Sequence, residues 1–138
     1  RLRDDPSLMR TAADEILRWS SPVIHFRRTA TANTEVRGVP IAEGDKVVVW
    51  LMSGNYDERQ FEEPLRFDLD RRPNPHVAFG RGGPHFCLGA HLAKLEVKVM
   101  FEELLPRLGS IELTGPARRI ESNFTNALRT MPVRVATA

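Results

Sequence analysis

Leu8, Ala12, Ile16 and Trp19 recur every three to four positions, the spacing of one face of an α-helix. Asp5-Pro6 supplies an N-cap and a proline at the first helical position, and Ser20-Ser21-Pro22 ends the pattern. The first predicted element is therefore an amphipathic helix of about four turns. From Val23 to Met52 the chain turns to β-branched and aromatic residues, punctuated at Gly38-Val39-Pro40 and Gly44-Asp45, with VVVWL at 47–51 as its most apolar run. That pattern predicts a small antiparallel sheet with one strand largely buried.

Residues 53–78 are irregular and divided by Pro64, Pro73 and Pro75. So long a stretch without regular structure predicts a meander of turns that packs on a neighbour or a ligand. Leu88, Leu92, Leu95, Val99 and the run from Phe101 to Leu104 predict a second long helix that stops before Pro106 and Gly109. The last thirty residues read as short strands around a turn.

At 138 residues the chain is long enough for one core. Its first residue is arginine rather than methionine and its first pattern is already a helix, which is expected of a C-terminal piece of a longer protein. No apolar run approaches the roughly 20 residues that cross a bilayer, and no secretory signal opens the chain. The expected location is cytoplasmic. Twenty basic residues against eighteen acidic ones give too small an excess for bulk nucleic-acid binding.

The stretch FGRGGPHFCLGAHLAKLE at 79–96 carries the candidate chemistry, because it holds the only cysteine, Cys87, where a glycine-rich loop meets the second helix. Gly80, Gly82, Gly83 and Gly89 allow left-handed backbone or close approach to a flat partner. Unpaired amides at a helix start favour a thiolate, the form that binds metal. Four readings of the thiol stand side by side. It is a small apolar residue, a ligand of zinc with His85 and His91, a redox or nucleophilic group, or the single axial ligand of an iron. Zinc would want more cysteines, and a redox pair would want a second one; iron held by a macrocycle needs only one thiolate.

Gly83-Pro84-His85-Phe86-Cys87-Leu88-Gly89-Ala90 resembles the haem-binding signature of the cytochrome P450 family, the haem-thiolate monooxygenases. Gly80 stands where a phenylalanine is usual and Phe79 lies one position further away, so the loop is one residue longer, a variant that resembles bacterial members acting on sterols and branched lipids. Glu15-Ile16-Leu17-Arg18, Pro64-Leu65-Arg66-Phe67 and the cysteine loop also follow one another in the family's order.

The resemblance implies the C-terminal part of the cytochrome P450 fold, mainly α with small antiparallel β-sheets, or α+β as an isolated segment spanning residues 1–138. It implies haem b held by Cys87, with Gly83 and Gly89 shaping the loop, Phe86 shielding the sulfur, and Arg28 and His85 meeting the propionates; His76 is a further polar candidate. Glu15, Arg18 and Arg66 would form a buried ion network. Val23, Ile24, His25 and Phe26, with Phe124, Thr125 and Asn126, match segments that line the substrate pocket.

The implied parent activity is oxygen insertion from O₂ into a small apolar substrate, a sterol or branched lipid, with electrons from a ferredoxin or similar redox partner. Lys94, Lys98, Arg71, Arg72 and Arg81 would offer that partner a basic surface. The family's distal oxygen-activating helix and N-terminal part have no counterpart in these residues, so the segment alone is expected to be inactive. The alternative is a non-catalytic haem-binding or sensing module.

Overall fold

Asp5 caps the first turn as expected: its Oδ1 accepts from the Ser7 amide at 3.0 Å and from the Ser7 hydroxyl at 2.6 Å. Pro6–Leu8 form a 3₁₀ turn that passes into helix α1, Met9–Ser20. The computed structural model describes residues 1–138. The buried face of α1 is Met9, Ala12, Ala13, Glu15, Leu17 and Arg18, not the predicted stripe of Leu8, Ala12, Ile16 and Trp19. Of those four only Ala12 is buried, and Trp19 lies at the surface, packed on Tyr56 and Phe67 with ring centroids 5.8 and 5.7 Å away. The face turned because it buries an acid and a base, which a hydrophobic count scores as solvent-facing.

Ser21 ends α1 in a left-handed conformation, φ 39°, and its hydroxyl donates to the Arg18 carbonyl at 2.8 Å. Strand β1, His25–Thr29, then pairs antiparallel with β4, Lys46–Trp50, while β2, Thr34–Val36, and β3, Val39–Ile41, form a hairpin between them. The predicted antiparallel pairing is present. The predicted burial of the VVVWL strand is not, since Val48, Val49 and Trp50 are all more than 40% exposed. The short helix α2, Leu51–Asn55, begins where the sheet was expected to run out and was not foreseen. The meander after it is irregular, as predicted.

Helix α3, Ala90–Leu104, is the second long helix. Its Val97 and Phe101 pack with Leu2 and Leu69 against Met9, Ala12 and Ala13 of α1. The two alanines let α3 come close, and burying a side chain the size of Met9 contributes about 1.5–3 kcal/mol. Leu92, Leu95 and Val99, which helped to predict the helix, lie on its exposed side, and Leu88, exposed as well, falls before its first residue. The last segment gives β5, Leu108–Leu113, paired with β8, Val133–Thr137, and β6, Arg118–Arg119, paired with β7, Leu128–Thr130. No helix is long and apolar enough to cross a membrane.

Candidate haem-thiolate site and its ion network

Glu15 and Arg18 lie one turn apart on α1 and face the meander, where both are fully buried. Arg18 Nε and Nη2 donate to the two oxygens of Glu15 at 2.7 and 2.8 Å, a bidentate pair. The remaining N–H groups reach the carbonyls of Asn55 at 2.8 Å, Pro64 at 2.9 Å and Arg66 at 3.2 Å. All five donors of the guanidinium are thereby used. Glu15 also accepts from the Asp68 amide at 2.8 Å, Asn74 Nδ2 at 3.1 Å and Arg71 Nε at 3.2 Å.

The third cation of this network is Arg71, and the expectation for Arg66 is corrected. The Arg66 side chain is 64% exposed and pairs with Glu63 at 2.9 Å; only its carbonyl joins the network. The turn that bonds the Arg66 amide to the Glu63 carbonyl sends this side chain outward. Arg71 reaches back from beyond the turn, and its fork donates to the carbonyls of Glu62, Glu63 and Arg66 at 2.7, 3.2 and 2.9 Å. No local spacing distinguishes Arg71 from Arg72 beside it, so only the packed turn reveals it. Arg71 therefore drops out of the expected basic surface, and Lys94 is already paired with Asp14 at 2.6 Å.

Burial opposes ionisation of Glu15, but the bonds from Arg18 and the Asp68 amide, with the charges of Arg18 and Arg71, outweigh it and hold the carboxyl below its usual range. Asp14 is also lowered, first by the hydrogen bond with His76, against burial, and then by Lys94. A carboxyl depressed in the folded state contributes stability that is fully present above its unfolded pKa and is lost as pH falls through the folded value. Chemical denaturation is therefore expected to show stability nearly constant down to about pH 5 and falling increasingly below about pH 4. A flat profile through that window would contradict the network's role.

The cysteine loop hangs between this network and α3. Gly80, Gly82 and Gly83 take φ of 77°, 65° and 73°, a region that side chains rarely enter. Gly89 does not take left-handed backbone, the first of the two expected uses of these glycines: its φ is −84°, it caps α3, and a Cβ placed on it would lie 3.9 Å from the Cys87 sulfur. The Cys87 amide donates to the Phe79 carbonyl at 3.1 Å, and its carbonyl accepts from the Ala90 amide at 3.2 Å. The thiol is free and exposed, as is Phe86 beside it.

An open cleft of about 630 Å³ adjoins the loop. Phe26, Val49 and Phe79 give it apolar walls, and Arg28 and His85 stand together at its lining. Arg28 lies 5.6 Å above the Phe26 ring, with its Nη1 on the Arg27 carbonyl at 3.0 Å. His76 is absent from this lining because its Nε2 faces Asp14 at 3.2 Å, which corrects its candidacy as a propionate contact. His85, Cys87 and His91 do not converge, and no three His, Cys, Asp or Glu side chains are grouped to hold a metal ion.

The two expected pocket segments meet. Val23 bridges Thr125, the Ile24 amide donates to the Phe124 carbonyl at 2.9 Å, and the Asn126 amide donates to the Pro22 carbonyl at 2.9 Å. Phe124 then stands edge-on to Phe26 at 5.6 Å and to His25 at 6.1 Å. His25 also meets Trp50 at 5.0 Å, and its buried Nδ1 has no partner.

The sequence model of the family described as Cytochrome P450 matches residues 3–128. The chain belongs to the cytochrome P450 family. Among curated P450 relatives it is similar to Cytochrome P450-terp of a Pseudomonas species, 48% identical over 136 residues, which are 99% of this chain and 32% of that protein. It is equally similar, 48% over 130 residues, to the methyl-branched lipid omega-hydroxylase of Mycobacterium bovis, with 94% of this chain and 30% of the relative covered. The solved P450 of Mycobacterium marinum in complex with pseudoionone superposes with a TM-score of 0.90 at 48% identity, over 96% of this chain and 32% of the other. The chain spans about a third of the length of these relatives.

Proposed function

We propose that these residues are the C-terminal haem-binding portion of a bacterial P450 monooxygenase and that Cys87 is the axial ligand. The observation that carries this reading is the donor set: one free, exposed thiol on a loop of left-handed glycines, beside a cleft with apolar walls and the basic side chains Arg28, Arg81 and His85. A flat, largely apolar macrocycle with two carboxylates fits those groups. Haem bound there would supply activation of O₂, with the thiolate pushing electron density towards the O–O bond.

The chain's own residues do the holding. Gly82 and Gly83 bend the loop so that backbone can approach a ring closely, and Gly89 leaves room beside the sulfur. Arg28 and His85 offer charge-assisted hydrogen bonds to the carboxylates. Phe86 covers part of the surface next to the thiol, and a smaller polar residue there would admit water and donors to the sulfur.

The substrate proposed is a small apolar molecule, a sterol or a branched lipid. The ring cluster of His25, Phe26, Trp50 and Phe124 suits apolar contact, and one M. bovis relative is named for methyl-branched lipids. Electrons would come from a ferredoxin or similar protein, for which Lys98 and Arg72 remain as surface cations once Lys94 and Arg71 are assigned inward partners and Arg81 lines the cleft.

The test is the reduced carbon monoxide spectrum of the complete parent protein together with turnover of branched lipids. A strongly red-shifted Soret band with oxygenated product supports the proposal. The band without product, across substrates that shift the ferric spectrum, would favour a haem-binding sensor instead. Absence of the band would refute the axial assignment.

A further inference from the structure

Asp14 precedes Glu15 on α1 and takes no part in the Glu15 network. Its Oδ1 meets His76 Nε2 at 3.2 Å and Lys94 Nζ at 2.6 Å. These two partners lie on opposite flanks of the cysteine loop, His76 just before it and Lys94 in α3, which leaves it.

The His76 side chain is only 5% exposed, and its second nitrogen, Nδ1, accepts the Ala78 amide at 3.2 Å. With Nδ1 accepting, Nε2 is the ring nitrogen that donates to Asp14. The Val77 amide is held by Asn55 Oδ1 at 2.7 Å, and the Phe79 ring packs 6.0 Å from the imidazole. The Phe79 carbonyl then accepts the Cys87 amide. A short chain of bonds thus runs from Asp14 to the backbone of the cysteine. On the other flank, Lys94 ties to the same carboxylate the helix whose first amide, that of Ala90, bonds the Cys87 carbonyl.

We propose that Asp14 is a clamp: through His76 on the entering leg and Lys94 on the departing helix, one carboxylate holds both flanks of the cysteine loop and sets the position of Cys87. Asp14 and His76 are positioning residues, comparable to the outer partners that orient metal ligands. This deepens the haem-thiolate reading and rests on it only for its spectroscopic part.

The experiment compares Asp14→Ala, Asp14→Asn and Lys94→Met with the wild type in the complete parent protein, by amide hydrogen exchange and by the reduced carbon monoxide spectrum. Asp14→Ala is expected to speed exchange at Ala78, Phe86 and Cys87 about tenfold or more and to move part of the red-shifted Soret band to shorter wavelength. Asp14→Asn keeps an oxygen acceptor for both donors and should restore most of both signals. A lowered melting temperature with exchange at 78–87 and the band unchanged would overturn the clamp, as would Asp14→Asn behaving like Asp14→Ala.

Should Asp14→Ala fail to fold, Lys94→Met decides. Faster exchange confined to the first turns of α3 supports the clamp, and no change, or uniform acceleration through α1 and α3, refutes it. If the wild type itself lacks the red-shifted band, the haem-thiolate reading fails while the exchange result still decides the clamp.

Discussion

Glu15→Ala is expected to cost the complete protein about 3–5 kcal/mol, because it strands two cations, the fully buried Arg18 and the nearly buried Arg71. Arg18→Ala should fall in the same range, since it leaves the Glu15 carboxylate short of its bidentate partner and frees the Asn55 and Pro64 carbonyls. Arg71→Ala should follow. It leaves Glu15 paired with Arg18 but removes the donor to the carbonyls of Glu62 and Glu63, each stranded acceptor costing about 1–3 kcal/mol. Arg66→Ala is the control: it removes only a solvent-exposed pair with Glu63, so no measurable loss of stability is expected. Urea denaturation with unchanged m-values checks the order. Arg66→Ala as costly as Arg71→Ala would contradict the geometry described for this network.

Cys87→Ala is expected to abolish the red-shifted band of the reduced carbon monoxide complex while changing the folding stability of the haem-free protein by about 0.5 kcal/mol or less. The small stability effect follows from exposure, since the side chain contributes little buried surface in these residues. The large spectral effect follows from the lack of any substitute. Cys87 is the only cysteine of these 138 residues, and neither His85 nor His91 is grouped with a second ligand that could take over. Holding stability and spectrum apart in this way separates ligand loss from unfolding. A band that survives the substitution would remove Cys87 from the axial position.

The two expectations differ in kind. The ion network is a matter of burial, where the energy lies in not leaving a charge unpaired, and its test is stability. The cysteine is a matter of access, where the energy lies in a bond to a group outside the chain, and its test is spectroscopic. Asp14 lies between them, on the same helix as Glu15 yet bonded to both flanks of the loop.

Much of this was legible in the residues themselves. The glycines and the lone cysteine at a helix start are local features, and the φ angles of Gly80, Gly82 and Gly83 follow from residue type. So do the Asp5 cap, the ends of α1 and α3, and the hairpins between turn residues, because caps, prolines and turns act within a few positions of themselves. The pairing of Glu15 with Arg18 is likewise local, being one helical turn.

What the tertiary structure alone decided is which of several equivalent side chains turns inward. Arg66 and Arg71 are both arginines of the meander, and only the turn at Glu63–Arg66 sends one to solvent and the other to Glu15. His76 had the chemistry of a propionate contact, and packing gave it to Asp14 instead. The leucines that marked α3 lie on its exposed side, and the VVVWL strand is open, because hydrophobicity says that a face wants a cover without saying where among these residues the cover lies. Spacing along the chain determines local geometry; the choice of partner depends on distances across it, which only folding sets.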